Sequence, residues 1–408
     1  MRAFFKKNST LTGKEYASTF IGAILLSAAV YLLLALIFGG RILMSVFFKN
    51  TSDAFMDFFN SIRDASLGLG SYTERHVIYP PMANLFFMLL SHLTPDVYNS
   101  CDFEYRGSWD GYRSAIALII VFTVLCALLF FILIRKCVRV GGKEAWLFAL
   151  VALFSVPFLN LLERGNIMAL AIFGLLIFLL TYHSPRPVLR ELGLLALAFS
   201  FSIKLYPILF AWILLVDKRY KEFFRCALYC VLLLLLPSFA FGGPSCLLLI
   251  LKNIFSFSGG SGSTLATLSK FLGIPREIVS GSAYVFFLLC ALNFAVGAFA
   301  HKERWKVWAC GCIMFLAFPS LTSTYGWTLF LIPILLMCNQ PSSGLTARIY
   351  FAMMTIPFLF VPIPLPIAIH FNAFVVYFMT AFLAIFSIAD TVKTVSWLIR
   401  NRKTKATE

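Results

Sequence analysis

The sequence predicts an all-α polytopic membrane protein with about twelve transmembrane segments in a single domain, residues 1–408. Three observations support this fold class. The 408 residues are 60% hydrophobic and 13% charged, with a mean hydropathy of +0.88, whereas soluble domains carry roughly 25% charged residues. Apolar runs long enough to cross a bilayer, roughly 17–25 residues, recur along the whole chain. Basic residues, finally, concentrate in alternate loops between these runs.

The distribution of charge predicts the topology. A net charge of +16 would suggest nucleic-acid binding in a soluble protein. In a membrane protein, however, Lys and Arg collect in the cytoplasmic loops. We therefore expect no nucleic-acid partner, a retained first span, both termini in the cytoplasm and a location in the plasma membrane. Most of the 34 basic residues fall in the segments that this rule assigns to the cytoplasm, namely 1–17, 135–143, 184–190, 217–225, 301–306, 339–348 and 390–408.

The segment 192–216 carries one charge, Lys204, at its midpoint. If it crossed the membrane once, the basic loops 184–190 and 217–225 would face opposite sides and the charge bias would be lost. Pro207 removes a helical hydrogen bond and disfavours helix at the preceding residue, so the chain is predicted to reverse there. A polar turn at membrane depth is tolerated only inside protein or against a water-filled cavity. Lys204 is therefore expected at the floor of a cavity that opens to the outer side.

A second turn predicted on the outer side is "LLERGN" at 161–166, which carries Glu163, Arg164 and Asn166. Charged groups at membrane depth are costly and are functional by default. The alternatives are a structural Glu163–Arg164 ion pair in this turn and a buried structural role for Lys204.

The longest predicted outer loop is 39–113. Its stretch "TSDAFMDFFNSIRDAS" has apolar residues at helical intervals and sets Asp53 and Asp57 four residues apart, which predicts an amphipathic helix at the membrane interface. The Pro-Pro pair at 80–81 opens a second amphipathic helix that is too short to span the membrane. A second outer loop, 242–280, is expected to combine an amphipathic helix with a flexible Gly/Ser stretch.

The sequence lacks motifs for nucleotide or metal chemistry. The Gly/Ser run 258–263 is not followed by the Lys and Ser or Thr of a phosphate-binding loop. The five histidines form no HExxH motif, and the ten cysteines show no metal-ligand spacing. A disulfide between Cys101 and Cys246 is one pairing that the predicted topology allows.

Five short motifs occur in order along the chain: "MDFFNSI" at 56–62, "YPP" at 79–81, "LLERGN" at 161–166, "SIKLYP" at 202–207 and "TYGWTLFLIP" at 324–333. Together they resemble the pattern of glycosyltransferase family 87, in the GT-C superfamily of polyprenyl-phosphate-sugar-dependent transferases, over roughly residues 15 to 340. The resemblance implies a GT-C fold, a membrane bundle with a large outer first loop. It also implies a lipid-linked donor such as polyprenyl-phosphate mannose and an acceptor on the outer leaflet.

The resemblance further implies a set of site residues. Asp57 matches the catalytic aspartate of the family, with Asp53 as the alternative. Lys204 and Arg164 match positions that face the donor phosphate. The same motifs supply the other substrate-binding candidates, Asn166, Tyr79, Tyr206, Tyr325 and Trp327.

Two departures from the family pattern affect these expectations. Met168 stands where many members have an acid, which weakens the case for a bound metal. Tyr325 and Trp327 stand where many members have a histidine, which leaves the acceptor side open. Because two side-chain cations would neutralise the donor phosphate, no metal and no other cofactor is expected.

The favoured hypothesis is therefore an inverting glycosyltransferase. It would move a hexose, with mannose as the first candidate, from a polyprenyl-phosphate donor to an acceptor glycan or glycolipid on the outer side. A lipid or glycan transporter or flippase, with Lys204 and Arg164 as substrate-charge sites, is the alternative. A structural subunit of a polymerase complex is a third hypothesis. Besides donor and acceptor, the expected partners are membrane lipids.

Overall fold

The computed structural model describes residues 10–47, 54–94, 113–257, 269–270, 272–318, 323–340, 342–363 and 371–407. The described chain is almost entirely helical, as the sequence predicts. Its α-helices are α1 (Gly13–Phe38), α2 (Met56–Ser66), α3 (Gly70–Thr73), α4 (Pro81–Ser91), α5 (Arg113–Cys137), α6 (Lys143–Leu153), α7 (Val156–Arg164), α8 (Met168–Thr181), α9 (Pro187–Ile203), α10 (Trp212–Val216), α11 (Tyr220–Ser238), α12 (Ser245–Phe257), α13 (Arg276–Ala300), α14 (Arg304–Leu316), α15 (Leu331–Asn339), α16 (Leu345–Thr355) and α17 (Phe371–Thr407).

Short elements complete the fold. Two strands of two residues each, β1 (Thr10–Leu11) and β2 (Ser342–Ser343), pair antiparallel. The 3₁₀ helices are Gly40–Ser45, Tyr206–Ala211, Phe239–Phe241, Thr324–Phe330 and Ile356–Phe358.

Five helical stretches of the described residues are long and apolar enough to cross a membrane: Gly13–Phe38, Arg113–Cys137, Tyr220–Phe241, Arg276–Ala300 and Val375–Asn401. A sixth candidate is the pair α6 and α7, which is bent by 47°. Six further apolar helices are shorter than 18 residues. The protein is therefore an all-α membrane protein with five or six candidate spans, and the count of about twelve segments stays a prediction.

The outer surface of the helices is apolar, as expected for a protein surrounded by lipid. Leucines, valines and isoleucines point outward from the long helices, and Leu36 on α1 is 83% exposed. Apolar surface of this extent is costly in water and suits a hydrocarbon environment. One continuous hydrophobic core runs from Leu11 to Ala384 and is filled by buried aromatic rings such as Phe20 and Phe130. The single domain over residues 1–408 stays a prediction.

The chain breaks at Lys204, where the sequence predicts a reversal. α9 ends at Ile203, and Lys204 takes the extended dihedral angles φ −142° and ψ 131°. Pro207 occupies the first turn of the 3₁₀ helix that follows, and α10 continues from it. A proline is favoured in the first turn because the missing N–H would have no helical partner there.

Ion pairs show where the two halves of this broken segment begin and end. Arg190 lies 3.5 Å from Glu222, and Glu191 lies 2.7 Å from Arg225. These pairs join the beginning of α9 to the beginning of α11. The two basic loops that flank segment 192–216 are therefore neighbours, which is the arrangement that a reversal at Lys204 requires.

The predicted first outer loop contains the two predicted helices, α2 and α4, which pack against each other. α12, from the predicted second outer loop, lies beside α3 and the segment between α3 and α4, because the Asn253 amide donates to the carbonyl oxygens of Tyr72 at 3.0 Å and Val77 at 3.1 Å. The predictions for Asp53, for Cys101 and for the Gly/Ser run fall on residues outside the described ones.

Candidate active site

Asp57 lies in the first turn of α2 and meets the turn between α7 and α8. Arg164 Nη2 donates to Asp57 Oδ1 at 2.5 Å, and Asn166 Nδ2 donates to Asp57 Oδ2 at 2.7 Å. Arg164 and Asp57 are 107 residues apart in sequence. The predicted catalytic carboxylate and the predicted outer turn therefore form one cluster. Charge-assisted hydrogen bonds of this kind are short and directional, so they orient the carboxylate.

Asn166 holds the cluster from the protein interior, since its side chain is only 1% exposed. Its Oδ1 accepts the main-chain N–H of Met168 at 2.9 Å, so the amide group has one defined orientation and Nδ2 points toward Asp57. Nδ2 also lies 3.3 Å from Tyr325 Oη. Asn166 thus links the carboxylate of the outer loop to the late motif of the sequence.

Lys204 lies beside this cluster, with its ammonium 4.2 Å from the ring centre of Tyr79. Such a cation–π contact is favourable but does not neutralise the charge. The charge of Asp57 acts on both Lys204 and Tyr79. Within the described parts of the chain, no carboxylate forms an ion pair with Lys204. The ammonium therefore has room for an anionic partner.

A cavity of about 280 Å³ opens next to Lys204. Lys204, Tyr79 and Tyr206 are the polar residues of its wall, and most of the wall is apolar, from residues that include Ile208, Leu209, Ile254, Phe287, Met314, Phe315 and Phe318. These wall residues come from the break after α9 and from α12, α13 and the end of α14. A single cationic group in the wall of an apolar cavity suits an amphiphile with an anionic head.

Two tyrosine hydroxyls lie near the cavity and the Asp57 cluster. Tyr206 Oη is buried and has no hydrogen-bond partner within the described residues. Its ring packs against Phe315 with the ring centres 3.7 Å apart and the planes tilted by 33°. Tyr325 Oη lies beside Asn166, as described above. Buried polar groups normally find a partner, so the Tyr206 hydroxyl is a candidate for contact with a substrate.

Trp327 lies inside the core of the protein, and its predicted part in substrate binding stays a prediction. Trp327 is fully buried, and its indole N–H donates to the carbonyl oxygen of Met354 at 3.0 Å. Its ring stacks on Phe330 inside the core. Each residue of a 3₁₀ helix is rotated by about 120° from the one before it. Side chains two residues apart therefore also point about 120° apart, so Tyr325 and Trp327 face different surroundings.

Asp64, two turns after Asp57 on α2, belongs to a separate ion pair. Its Oδ1 accepts from Arg63 Nε at 2.9 Å and lies 4.0 Å from Arg75. Burial raises the pKa of Asp64, although Arg63 acts in the opposite direction. Asp64 is thus a loop carboxylate with its own partners, which makes it a useful control for Asp57.

The residues present do not form a metal site in the described part of the chain. No three His, Cys, Asp or Glu side chains come together there. The guanidinium of Arg164 would also repel a cation bound at Asp57. Independence from metals stays a prediction for the reaction itself.

Two residues near the cluster, Phe55 and Gly165, were not predicted from the sequence. Both have left-handed backbone angles, with φ +59° at Phe55 and φ +62° at Gly165. A glycine directly after a helix end is a known signal for such a cap and could have identified Gly165. Phe55 has no comparable signal, because phenylalanine rarely adopts this conformation.

Comparison with protein families decides among the hypotheses. The profile of glycosyltransferase family 87 matches residues 77–319, which is more than half of the chain. The chain belongs to glycosyltransferase family 87. It is therefore a glycosyltransferase, and the transporter and structural-subunit hypotheses lose their support. No curated protein and no solved structure matches the chain.

The residues that match the family 87 profile cover a shorter part of the chain than the five sequence motifs do. It contains "YPP", "LLERGN" and "SIKLYP", and with them Lys204 and Arg164. Asp57 precedes the matched range, and Tyr325 follows it. For these two residues the argument rests on their contacts with Asn166, which lies inside the range.

Proposed function

We propose that this family 87 glycosyltransferase transfers a hexose, with mannose as the first candidate, from a polyprenyl-phosphate donor to a glycan or glycolipid acceptor at the outer membrane face. The observation that carries the proposal is the position of Lys204. Its ammonium lies between the Asp57 cluster and an apolar cavity, and it has no carboxylate partner in the described chain. This arrangement matches a donor whose phosphate joins a sugar to a hydrocarbon chain.

The apolar cavity supports a lipid-linked donor over a soluble one. Nucleotide sugars carry a polar base and ribose, which would lose their hydrogen bonds against the aliphatic and aromatic wall. An isoprenoid chain gains roughly 25 cal/mol for each Å² of apolar surface that it buries. The unpartnered Tyr206 hydroxyl belongs to the same cavity wall as Lys204, and we propose that it donates to a phosphate or sugar oxygen.

Lys204 and Arg164 stabilise the leaving group in this proposal. Negative charge grows on the lipid phosphate as its bond to the sugar breaks, so a cation already in place favours the transition state over the ground state. Lys204 supplies a point charge, while Arg164 supplies a planar set of donors and also holds Asp57.

Asp57 is the proposed general base. The acceptor hydroxyl attacks the anomeric carbon from the face opposite the phosphate, and its proton passes to an Asp57 oxygen, so the anomeric configuration inverts. Each carboxylate oxygen has two lone pairs, so Oδ1 and Oδ2 can still accept a proton while they bind Arg164 and Asn166. Both contacts hold the carboxylate in place during the transfer.

The proposed topology places this site on the outer side of a GT-C fold with about twelve segments. Lys14 pairs with Glu144 at 2.5 Å, and the Asn339 side chain accepts the main-chain N–H of Arg139 at 2.7 Å. The N-terminal end of α1 therefore lies with two predicted cytoplasmic loops. Lys204 lies at the opposite end of α9 from Arg190, which supports an outward-facing site and cytoplasmic termini in the plasma membrane.

An assay with radiolabelled polyprenyl-phosphate sugars and purified protein in lipid nanodiscs tests the proposal. We expect labelled glycan or glycolipid product from the wild type and none from Asp57→Asn, because an amide cannot take the proton. Asp64→Asn is the matched control, since it removes a carboxylate from the same helix, and it should keep most of the activity. Equal loss in both variants, or full activity in Asp57→Asn, would contradict the role of Asp57.

The same preparation separates the proposal from lipid transport. Reconstituted vesicles with the labelled donor on one side report whether the donor changes sides without reaction. Sugar transfer to an added acceptor supports the proposal, whereas movement of unreacted donor without any product refutes it.

A further inference from the structure

The backbone of Phe55 takes a conformation that is unusual for its residue type. It takes φ +59° and ψ 9° at the start of α2. This left-handed region is unfavourable for phenylalanine by about tenfold or more in population. The ring is only partly buried, in a groove shared with Ile116, Ile120 and Thr123 of α5. The specific restraint on the backbone is the main-chain N–H of Phe55, which donates to the carbonyl oxygen of Glu163 at 2.7 Å.

Gly165 makes the second contact between the same two segments. With φ +62° it caps the end of α7, and a Cβ atom built on it would lie 2.8 Å from Cβ of Phe58 and 3.6 Å from Cα of Phe55. Real Cβ atoms do not approach this closely, so the start of α2 rests directly on the bare backbone of Gly165. Any other residue would push the two segments apart.

In each of the two segments, the residues that make these contacts stand on either side of a residue of the Asp57–Arg164 pair. Asp57 lies between Phe55 and Phe58, and Arg164 lies between Glu163 and Gly165. From this geometry we infer that Phe55 and Gly165 are positioning residues, which hold the α2 turn against the α7 cap so that Asp57 meets the reacting hydroxyl. The inference rests on the proposed role of Asp57 in sugar transfer.

The rest of α2 does not depend on this contact for its folding. Its main packing partner is α4, and Phe58, Phe59 and Ile62 are fully buried in the core. Loss of the contacts made by Phe55 and Gly165 should therefore leave α2 folded and shift only its first turn. A displacement on the order of 1 Å at a catalytic group costs about 100-fold in rate.

Phe55→Asn and Phe55→Val form a matched pair that tests the backbone requirement. Both variants remove the ring, but asparagine tolerates left-handed angles whereas the β-branched valine does not. We expect Phe55→Asn to retain a kcat about tenfold higher than Phe55→Val, with similar KM for the donor. If packing in the apolar groove were the only role of Phe55, Phe55→Val would have the higher kcat. A higher kcat in Phe55→Val than in Phe55→Asn therefore overturns the inference.

Gly165→Ala tests the second contact. We expect kcat to fall about 100-fold while the KM for the donor changes little. Gly193→Ala is the control, because its added Cβ would meet Thr181 Oγ1 at 2.5 Å, at the end of α9 remote from Lys204. The control should lower the melting temperature without changing kcat per folded protein. An equal effect of both substitutions on kcat overturns the positioning role.

Hydrogen–deuterium exchange of residues 55–60 gives a readout that needs no turnover. We expect faster exchange in Phe55→Val and Gly165→Ala than in Phe55→Asn, while the later turns of α2 stay protected. If the wild type transfers no sugar from the polyprenyl-phosphate donor, the proposed function fails. The relative exchange rates of the variants still decide whether Phe55 and Gly165 hold the first turn of α2. Equal exchange in all three variants overturns the inference.

Discussion

Replacing Lys204 with methionine removes the ammonium and keeps an unbranched apolar side chain that fits the cavity wall. This substitution should keep or raise the stability of the fold, but it should lower the rate of catalysis. In the free protein the ammonium gains a cation–π contact with Tyr79 at 4.2 Å, worth about 0.5–2 kcal/mol. Against this stands the loss of hydration, which costs several kcal/mol for an ion in a protein interior. Lys204→Met should therefore be as stable as the wild type or more stable.

The catalytic effect follows from the charge that appears on the donor phosphate. A unit charge about 4 Å from the ammonium is stabilised by about 4 kcal/mol at an effective dielectric constant of 20. Loss of comparable transition-state contacts in enzymes costs about 3–4 kcal/mol, or roughly 10²–10³ in rate. We expect Lys204→Met to lose activity by this factor.

Two measurements on one preparation check this prediction. Single-turnover transfer from a radiolabelled polyprenyl-phosphate sugar gives the rate, and thermal unfolding in the same detergent gives the stability. Lys252→Met is the matched control, because Lys252 is exposed on α12. Activity of Lys204→Met within about threefold of the control would refute the reasoning, since the typical loss for such a contact is about 10²–10³.

Three other substitutions test separate parts of the structure. Arg164→Lys should lower transfer by about tenfold or more in the same assay, because a single ammonium cannot reproduce the planar guanidinium that orients Asp57. Trp327→Phe should lower stability by about 1 kcal/mol through the lost indole hydrogen bond, while activity per folded protein stays unchanged. Burial, followed by the charge of Lys306, lowers the pKa of His301 from 6.5, so the folded state should lose stability as pH falls below about 6.5. His301→Gln should flatten that decline in thermal unfolding curves measured from pH 7 to pH 5.

The charge pattern of the sequence was enough to predict the path of the chain around Lys204. The positive-inside rule predicted that the two flanking basic loops face the same side of the membrane. The ion pair between Glu191 and Arg225 shows that the helices beginning at these loops meet there, as a reversal of the chain requires. The amphipathic helices of the first outer loop were also predictable, because period and proline position are local signals. Membrane placement and the number of spans depend on the surrounding bilayer and stay predictions.

The composition of the site was partly predictable, but its contacts were not. The motifs named Asp57, Arg164 and Asn166 without indicating that the two latter side chains bind the first. The burial of Trp327 in the core was also not predictable, because a motif gives residue types and not the direction in which each side chain points. The left-handed Phe55 depends on a main-chain contact with Glu163, far away in sequence, and no local pattern reports such a contact.

The small sheet of β1 and β2 has a consequence for how the protein is made. Beside it, Ser342 Oγ donates to Tyr16 Oη at 2.8 Å, and these residues are 326 positions apart. At about 5–20 residues per second, a ribosome needs roughly 15 to 65 s to reach the second partner after the first. The N-terminal end of the first helix therefore makes these contacts only after Ser342 has been synthesised. A nascent chain that terminates before Ser342 lacks them.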